Sequence, residues 1–255
     1  MTETAYKTIE TAKKDGMFTL TLNNPPLNIL NIAMLDEITA AVKEAAGCGF
    51  LFLEAKGKAF SAGADVGEHM PDMAAKMLSS FHKAIKALAA FDGLVIAKVQ
   101  GAALGGGCEL VLPADIVLAS AKAKFGQPEI QLGVYPPVAM VLLPALCGPN
   151  AARELIYTGK SVRAEEARQL GIVSAVFEPE NFEAESAEYL ARFKTLSRSS
   201  LLQTKRALRK IHPSDFERKL DIAEKAYLQE LMKTKDGKEG CAAFLEKRKP
   251  SWSHA

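Results

Sequence analysis

The sequence predicts an α/β fold, a core of repeated βαβ-type units followed by a helical C-terminal part. Three observations predict it. Short β-rich runs alternate with segments of helical periodicity, the alternation stops near Asn181, and no low-complexity linker interrupts the chain.

Taken in order, MFTLTL at 17–22 reads as a strand, and FLFLE at 50–54, LVIAKV at 94–99 and DIVLA at 115–119 follow it. Between them, residues 32–46 place Met34, Leu35, Ile38, Ala41 and Val42 on one helix face, and residues 73–91 read as a second helix. Residues 138–146 suit a further helix. Beyond Asn181 the pattern is helical only, over 182–194, 199–210 and 215–233. The boundary is placed at 195: residues 1–195 form the α/β core, and 196–255 a helical region that packs on it or on a neighbouring subunit. A chain of 255 residues with 48% hydrophobic content can bury such a core.

Composition excludes more than it selects. Lys plus Arg number 32 against 30 Asp plus Glu, so a net charge of +2 exerts no general pull toward nucleic acid or membrane. The opening run MTETAYKTIETAKKDG lacks a secretory apolar stretch, and no segment approaches the roughly 20 apolar residues that span a bilayer. A cytoplasmic protein is expected. Cys48, Cys108, Cys147 and Cys241 form no CxxC pair, and His69, His82, His212 and His254 lack ligand spacing, so no metal site is expected. Neither GxGxxG nor GxxxxGK[ST] occurs, which removes the commonest dinucleotide and nucleotide loops.

The glycines therefore serve something else. In QGAALGGGCEL, residues 100–110, a strand ends at Gly101 and a triple glycine precedes a helix expected to open at Cys108 and Glu109. Three successive glycines cost about 1 kcal/mol each relative to Ala in a regular element, which points to a purpose. Glycine lets a ligand approach the main chain, and amides at a helix start suit a polarised oxygen. Tight helix-on-strand packing is the plainer use. In AFSAGAD, residues 59–65, the small residues Ser61, Ala62, Gly63 and Ala64 again leave amides uncovered, although Asp65 also fits as an ordinary N-cap. In FGQPEIQLG, residues 125–133, Pro128 keeps Gln127 extended and sets Glu129 in a turn. Beside Pro128, Ile130 and Leu132 that carboxylate is partly desolvated, which raises its pKa and suits acid/base work.

These three segments occur together, in the order found in the crotonase (enoyl-CoA hydratase/isomerase) superfamily, which the chain resembles from NNPPLNIL near residue 23 to EGCAAFLEKRKPSW. The resemblance implies the crotonase-like (ββα) spiral core and an acyl-CoA substrate, with coenzyme A part of the substrate and no separate cofactor. It also implies a homotrimer or a dimer of trimers. By position it gives the Ala64 and Gly106 amides to an oxyanion hole, and Glu109 and Glu129 to the pair that holds and activates water. Retention of both carboxylates favours hydration over isomerisation, hydrolysis or dehalogenation. Pro26, Leu27, Ala62 and Val66 are implied in the CoA pocket, with Phe244 and Lys247 at its nucleotide end, reaching across from a neighbouring subunit.

One stretch departs from the usual pattern. Typical hydratases continue after the second carboxylate with a PGAGG-like run, whereas this chain reads Val134, Tyr135, Pro136, Pro137, Val138, Ala139. Pro137 falls where the family has a glycine whose N–H helps position water, and proline has none. The run resembles that of cyclohexa-1,5-diene-1-carbonyl-CoA hydratases of anaerobic benzoyl-CoA degradation. That implies water addition to a cyclic dienoyl-CoA, giving 6-hydroxycyclohex-1-ene-1-carbonyl-CoA, with Tyr135 and Pro137 in the substrate wall. The prolines also suit the first turn of the helix that follows.

Two alternatives stand beside this reading. One is a general enoyl-CoA hydratase or isomerase of fatty-acid β-oxidation. The other is RNA binding, as Arg192, Lys194, Arg198, Lys205, Arg206, Arg209, Lys210, Arg218 and Lys219 cluster with only Asp215 and Glu217 among them. A solvated helix face explains that cluster more simply, since no aromatic residues interleave with it. A silent scaffold fits poorly with two intact carboxylates.

Overall fold

The computed structural model describes residues 6–212 and 215–254. Strands β1 (Ile9–Lys14) and β2 (Met17–Leu22) pair antiparallel around a turn at Asp15 and Gly16, both with positive φ. There follow α1 (Ile32–Glu44), β3 (Phe50–Ala55), α2 (Ala74–Ala90), β4 (Leu94–Val99), β5 (Ala102–Leu104), α3 (Gly106–Val111), β6 (Ile116–Ser120) and β7 (Lys124–Gly126). After these come α4 (Pro137–Cys147), α5 (Pro149–Thr158), β8 (Ser161–Arg163), α6 (Ala164–Gln169) and β9 (Ala175–Phe177). The chain then turns helical only, as predicted, with α7 (Phe182–Lys194), α8 (Arg198–Ile211), α9 (Phe216–Gln229) and α10 (Lys235–Leu245).

The larger sheet runs β1-β2-β3-β4-β6-β9, parallel everywhere except the first hairpin. A second sheet, β5-β7-β8, branches from it immediately after β4 and β6. Two strand layers covered by helices, with a helical C-terminal part, match the α/β class expected from sequence.

Local chemistry explains the elements. Asn31 caps α1 by accepting from the Met34 amide at 2.9 Å, and Met34, Leu35, Ile38, Ala41 and Val42 are buried on the face the periodicity assigned. Burying one such Leu or Ile stabilises by roughly 1.5–3 kcal/mol. That face meets the buried Met77, Leu78, Phe81, Ile85 and Leu88 side of α2. Some boundaries differ from expectation. The helix expected to open at Cys108 begins at Gly106, because Gly105, with φ 53° and ψ −127°, provides the N-cap geometry. The 215–233 helix breaks at Glu230, leaving α9 and a separate 3-10 turn, Leu231–Lys233.

The C-terminal helices lie against the core: α7 on β6 and β9, α8 on β4, and α9 on both α4 and α2. The basic cluster does much of that docking. Lys205, buried, donates to Asp115 at 2.5 Å and to Gly93 O at 2.7 Å, Arg206 pairs with Asp92, and Arg209 caps carbonyls of Ala89 and Phe91. Arg218 and Lys219 both pair with Asp215, and Arg192 lies over the Tyr189 ring. Cations so committed do not form a free stripe for a phosphate backbone. Among the described residues, no helix is long and apolar enough to cross a membrane.

Candidate active site

The site is built where the second sheet leaves the first. Ser61 and Ala103 bridge in parallel, with Ser61 N donating to Ala102 O at 3.0 Å and Leu104 N to Ser61 O at 3.0 Å. On the other side, Leu30 N donates to Gly63 O and Asp65 N to Leu30 O, so the Ala64 amide between them faces away from that ladder. Gly106 is the first residue of α3, and the first amides of a helix have no intrahelical acceptor. The two amides are neighbours: a Cβ added at Gly106 would stand 3.2 Å from Ala64 N. The Asp65 carboxylate, for its part, is the N-cap that the sequence also allowed, accepting from Gly67 N at 2.8 Å. It opens the 3-10 turn Val66–His69.

Glu109 lies in α3 and Glu129 in the 3-10 turn Pro128–Leu132. Glu109 is 4% exposed, and its Oε1 accepts from Ala139 N at 2.8 Å. That donor sits in the first turn of α4, whose leading residue is Pro137. The prolines therefore cap α4, and the amides just past them are aimed at a catalytic candidate instead of being lost. Burial pushes the Glu109 carboxyl up to about 7 despite this amide and that of Val138. Glu129, partly open to the cavity, is raised well above the ordinary carboxylate range by burial and then by the charge of Glu109. With its amide nitrogen turned toward Glu129, Gln127 donates to both carboxylate oxygens at 3.3 Å. Gly105 is required beside it, since a Cβ there would meet Glu129 Oε1 at 2.6 Å.

Ala64, Gly105, Gly106, Glu109 and Glu129 line one cavity of about 360 Å³. Of the residues singled out from sequence, Ala62, Ala64, Val66, Gly106, Glu109, Glu129, Tyr135, Pro137 and Phe244 border it. Pro26, Leu27 and Lys247 do not. Pro26 and Leu27 are exposed, Leu27 contributing only its carbonyl, which accepts from Ala62 N at 3.0 Å, and Lys247 lies exposed after α10. Phe244 reaches the cavity of its own chain. Tyr135 contributes its ring, since its hydroxyl is given to Ala223 O at 3.2 Å. Sequence reading missed Met77, Leu78, Phe81, Gln131 and Tyr227 in the lining. The first three were legible only as an apolar helix face, which looks the same whether it meets a core or a ligand.

A family model described as enoyl-CoA hydratase/isomerase matches residues 12–255. The chain belongs to the enoyl-CoA hydratase/isomerase family. Among its relatives, cyclohexa-1,5-dienecarbonyl-CoA hydratase of Thauera aromatica is 37% identical over 252 residues, 95% of each chain. Crotonyl-CoA hydratase of Syntrophomonas wolfei is 35% identical over 257 residues, 97% of this chain and 98% of its own. The crystal structure of an enoyl-CoA hydratase from Mycobacterium avium subsp. paratuberculosis superposes with a TM-score of 0.87 at 28% identity, covering 98% of this chain and 100% of that one. As a member of this family the chain is an enzyme, a hydro-lyase of the enoyl-CoA hydratase type.

The two carboxylates of this hydratase family member also make a stability prediction. A carboxyl with a raised folded pKa holds its proton more tightly in the fold than in the unfolded chain. The stability it contributes is complete below about pH 4.5 and is lost as pH rises through about 7. Glu109→Gln, which cannot ionise, is therefore expected to gain stability over the wild type between pH 5 and 8. Urea unfolding across that range reads it; a constant difference between the two proteins would contradict it.

Proposed function

We propose that the enzyme adds water to a conjugated, ring-shaped dienoyl thioester of coenzyme A, the class represented by cyclohexa-1,5-diene-1-carbonyl-CoA. The observation that carries hydration is a pair of buried carboxylates sharing one cavity with two uncommitted amides. Repulsion between them splits their titration, so that over the neutral range the proton resides mainly on Glu129 and Glu109 is available as base. Glu109 takes a proton from water, hydroxide bonds to the β carbon, and the displaced electron pair moves onto the thioester oxygen. The Ala64 and Gly106 amides stabilise that oxyanion. In a simple enoyl thioester Glu129 returns a proton to the α carbon. In the cyclic diene the enolate extends over the second double bond, and the proton goes to its distal carbon. One water is added and no electrons are exchanged, so the reaction calls for no redox partner.

The ring-shaped substrate is supported by the wall after Glu129. Tyr135 and Tyr227 meet edge to face, centroids 5.2 Å apart, and Pro137 is buried beside them. Such flat, stiff surfaces suit a planar ring better than a flexible chain. The similarity to the Thauera aromatica enzyme points the same way. The 35% identity to a crotonyl-CoA hydratase supports the second reading, a general enoyl-CoA hydratase. The family's trimer or dimer of trimers, and a cytoplasmic location, complete the proposal.

The deciding measurement compares kcat/KM for cyclohexa-1,5-diene-1-carbonyl-CoA and crotonyl-CoA. A preference of at least ~100-fold for the cyclic compound, about 2.7 kcal/mol of differential transition-state binding, is expected. A preference for crotonyl-CoA would return the enzyme to the general hydratases.

A further inference from the structure

Helix α9 brings to the cavity a side chain that the chemistry above leaves without a task. Tyr227 is 1% exposed, and its hydroxyl has no hydrogen-bond partner among the described residues. Its neighbour Tyr135 does not share this condition, because the Tyr135 hydroxyl is held by Ala223 O at 3.2 Å. Buried hydroxyls are nearly always paired, since an unpaired one loses its bonds to water and gains nothing in return. In a residue that borders a cavity, a buried hydroxyl of this kind is suited to a partner that arrives with the ligand.

The surroundings of Tyr227 narrow that partner. It lines the same cavity as Glu109 and Glu129. Burial first, then the neighbouring Cys241, Glu129, Tyr135 and Glu109, push its hydroxyl well above the ordinary phenol range, so it stays neutral and can donate at any working pH. The reactants carry two oxygens near the reacting carbons. The thioester oxygen is taken by the Ala64 and Gly106 amides. What is left is the oxygen of the water, which becomes the hydroxyl of the product.

We propose that the Tyr227 hydroxyl hydrogen-bonds the oxygen that is added to the acyl group, holding it as water before reaction and as the β-hydroxyl afterwards. This rests on the hydration reading above and adds Tyr227 to the two carboxylates as a positioning residue.

Tyr227→Phe keeps the ring and its contact with Tyr135 and removes only the oxygen. Binding is compared first, by calorimetry with 3-hydroxybutyryl-CoA and butyryl-CoA, which differ by that one hydroxyl and are small enough for either acyl class. The wild type is expected to prefer the hydroxylated ligand by roughly 5- to 10-fold, the scale of one net hydrogen bond, and the variant to lose the preference. In turnover, kcat is expected to fall about 10-fold with little change in KM, as loss of a water-holding contact leaves acyl-CoA binding intact. The melting temperature should equal or exceed that of the wild type, because an unpaired buried group has been removed. An unchanged ligand preference together with unchanged kcat would overturn the proposal. A wild type that hydrates no enoyl-CoA yet keeps the hydroxyl preference would sink the hydration reading and leave Tyr227 as a hydroxyl-binding residue.

Discussion

Glu109→Gln and Glu129→Gln are each expected to lower kcat by about 100-fold or more, the usual scale for a lost acid or base. Both changes preserve shape. In Glu109→Gln the amide oxygen can still accept from Ala139 N, which holds the wild-type carboxylate at 2.8 Å, so α3 and α4 remain connected. What disappears is the ability to exchange a proton with water inside the cavity. Removing Glu109 also removes the charge that helps hold the Glu129 proton, so the double variant should lose less than the product of the single effects. Circular dichroism and thermal melts establish that the fold persists. Near wild-type rates in both single variants, on a substrate the wild type hydrates, would remove the pair from the mechanism.

Strands β2, β3, β4 and β6 of the larger sheet and the first two helices are legible because their signals are long, whereas β1, exposed along nearly its whole length, shows no alternation to read. β2 and β4 match MFTLTL and LVIAKV, and α1 buries the face that the spacing of Met34, Leu35, Ile38, Ala41 and Val42 marks out. β5, β7, β8 and β9 span only three residues each, too few for a period of two to register, and α5 and α6 fall between them. The site was legible in a different way. Glycines and small residues at 61–64 and 105–107 advertise close backbone approach, and Gly107 shows the packing half of that argument, since a Cβ there would lie 2.5 Å from Ser61 O. Carboxylates beside such segments attract notice. Tyr227 does not, because one tyrosine on an amphipathic helix is indistinguishable in sequence from a core residue, and its unpaired hydroxyl exists only once α9 is folded onto α4. The run Tyr135-Pro136-Pro137 stands out in sequence as a departure from the usual hydratase pattern, and the structure adds why the prolines are tolerated. They begin α4, whose next amides support Glu109.

Gly106 offers a test in which sterics and hydrogen bonding separate. Gly106→Ala keeps the amide N–H but sets a methyl 3.2 Å from Ala64 N and 2.9 Å from the Phe81 ring. The ring edge can shift, whereas the amide is fixed by the ladder on either side of it, so the methyl partly covers one donor. Gly106→Pro adds similar bulk and also deletes the N–H. Proline is well suited to the first residue of a helix, and Gly106 is not among the residues of positive φ, so α3 should still form. Loss of one oxyanion donor typically costs about 100- to 1000-fold in kcat, because the charge it stabilises exists only in the transition state. Gly106→Pro is thus expected to fall at least about 10-fold below Gly106→Ala, with KM for the acyl-CoA changed far less than kcat. Equal rates for the two variants would mean that the Gly106 amide donates nothing to the reaction. A structure with bound acyl-CoA supplies the direct check: a carbonyl oxygen more than about 3.5 Å from both the Ala64 and Gly106 nitrogens would exclude them as its donors.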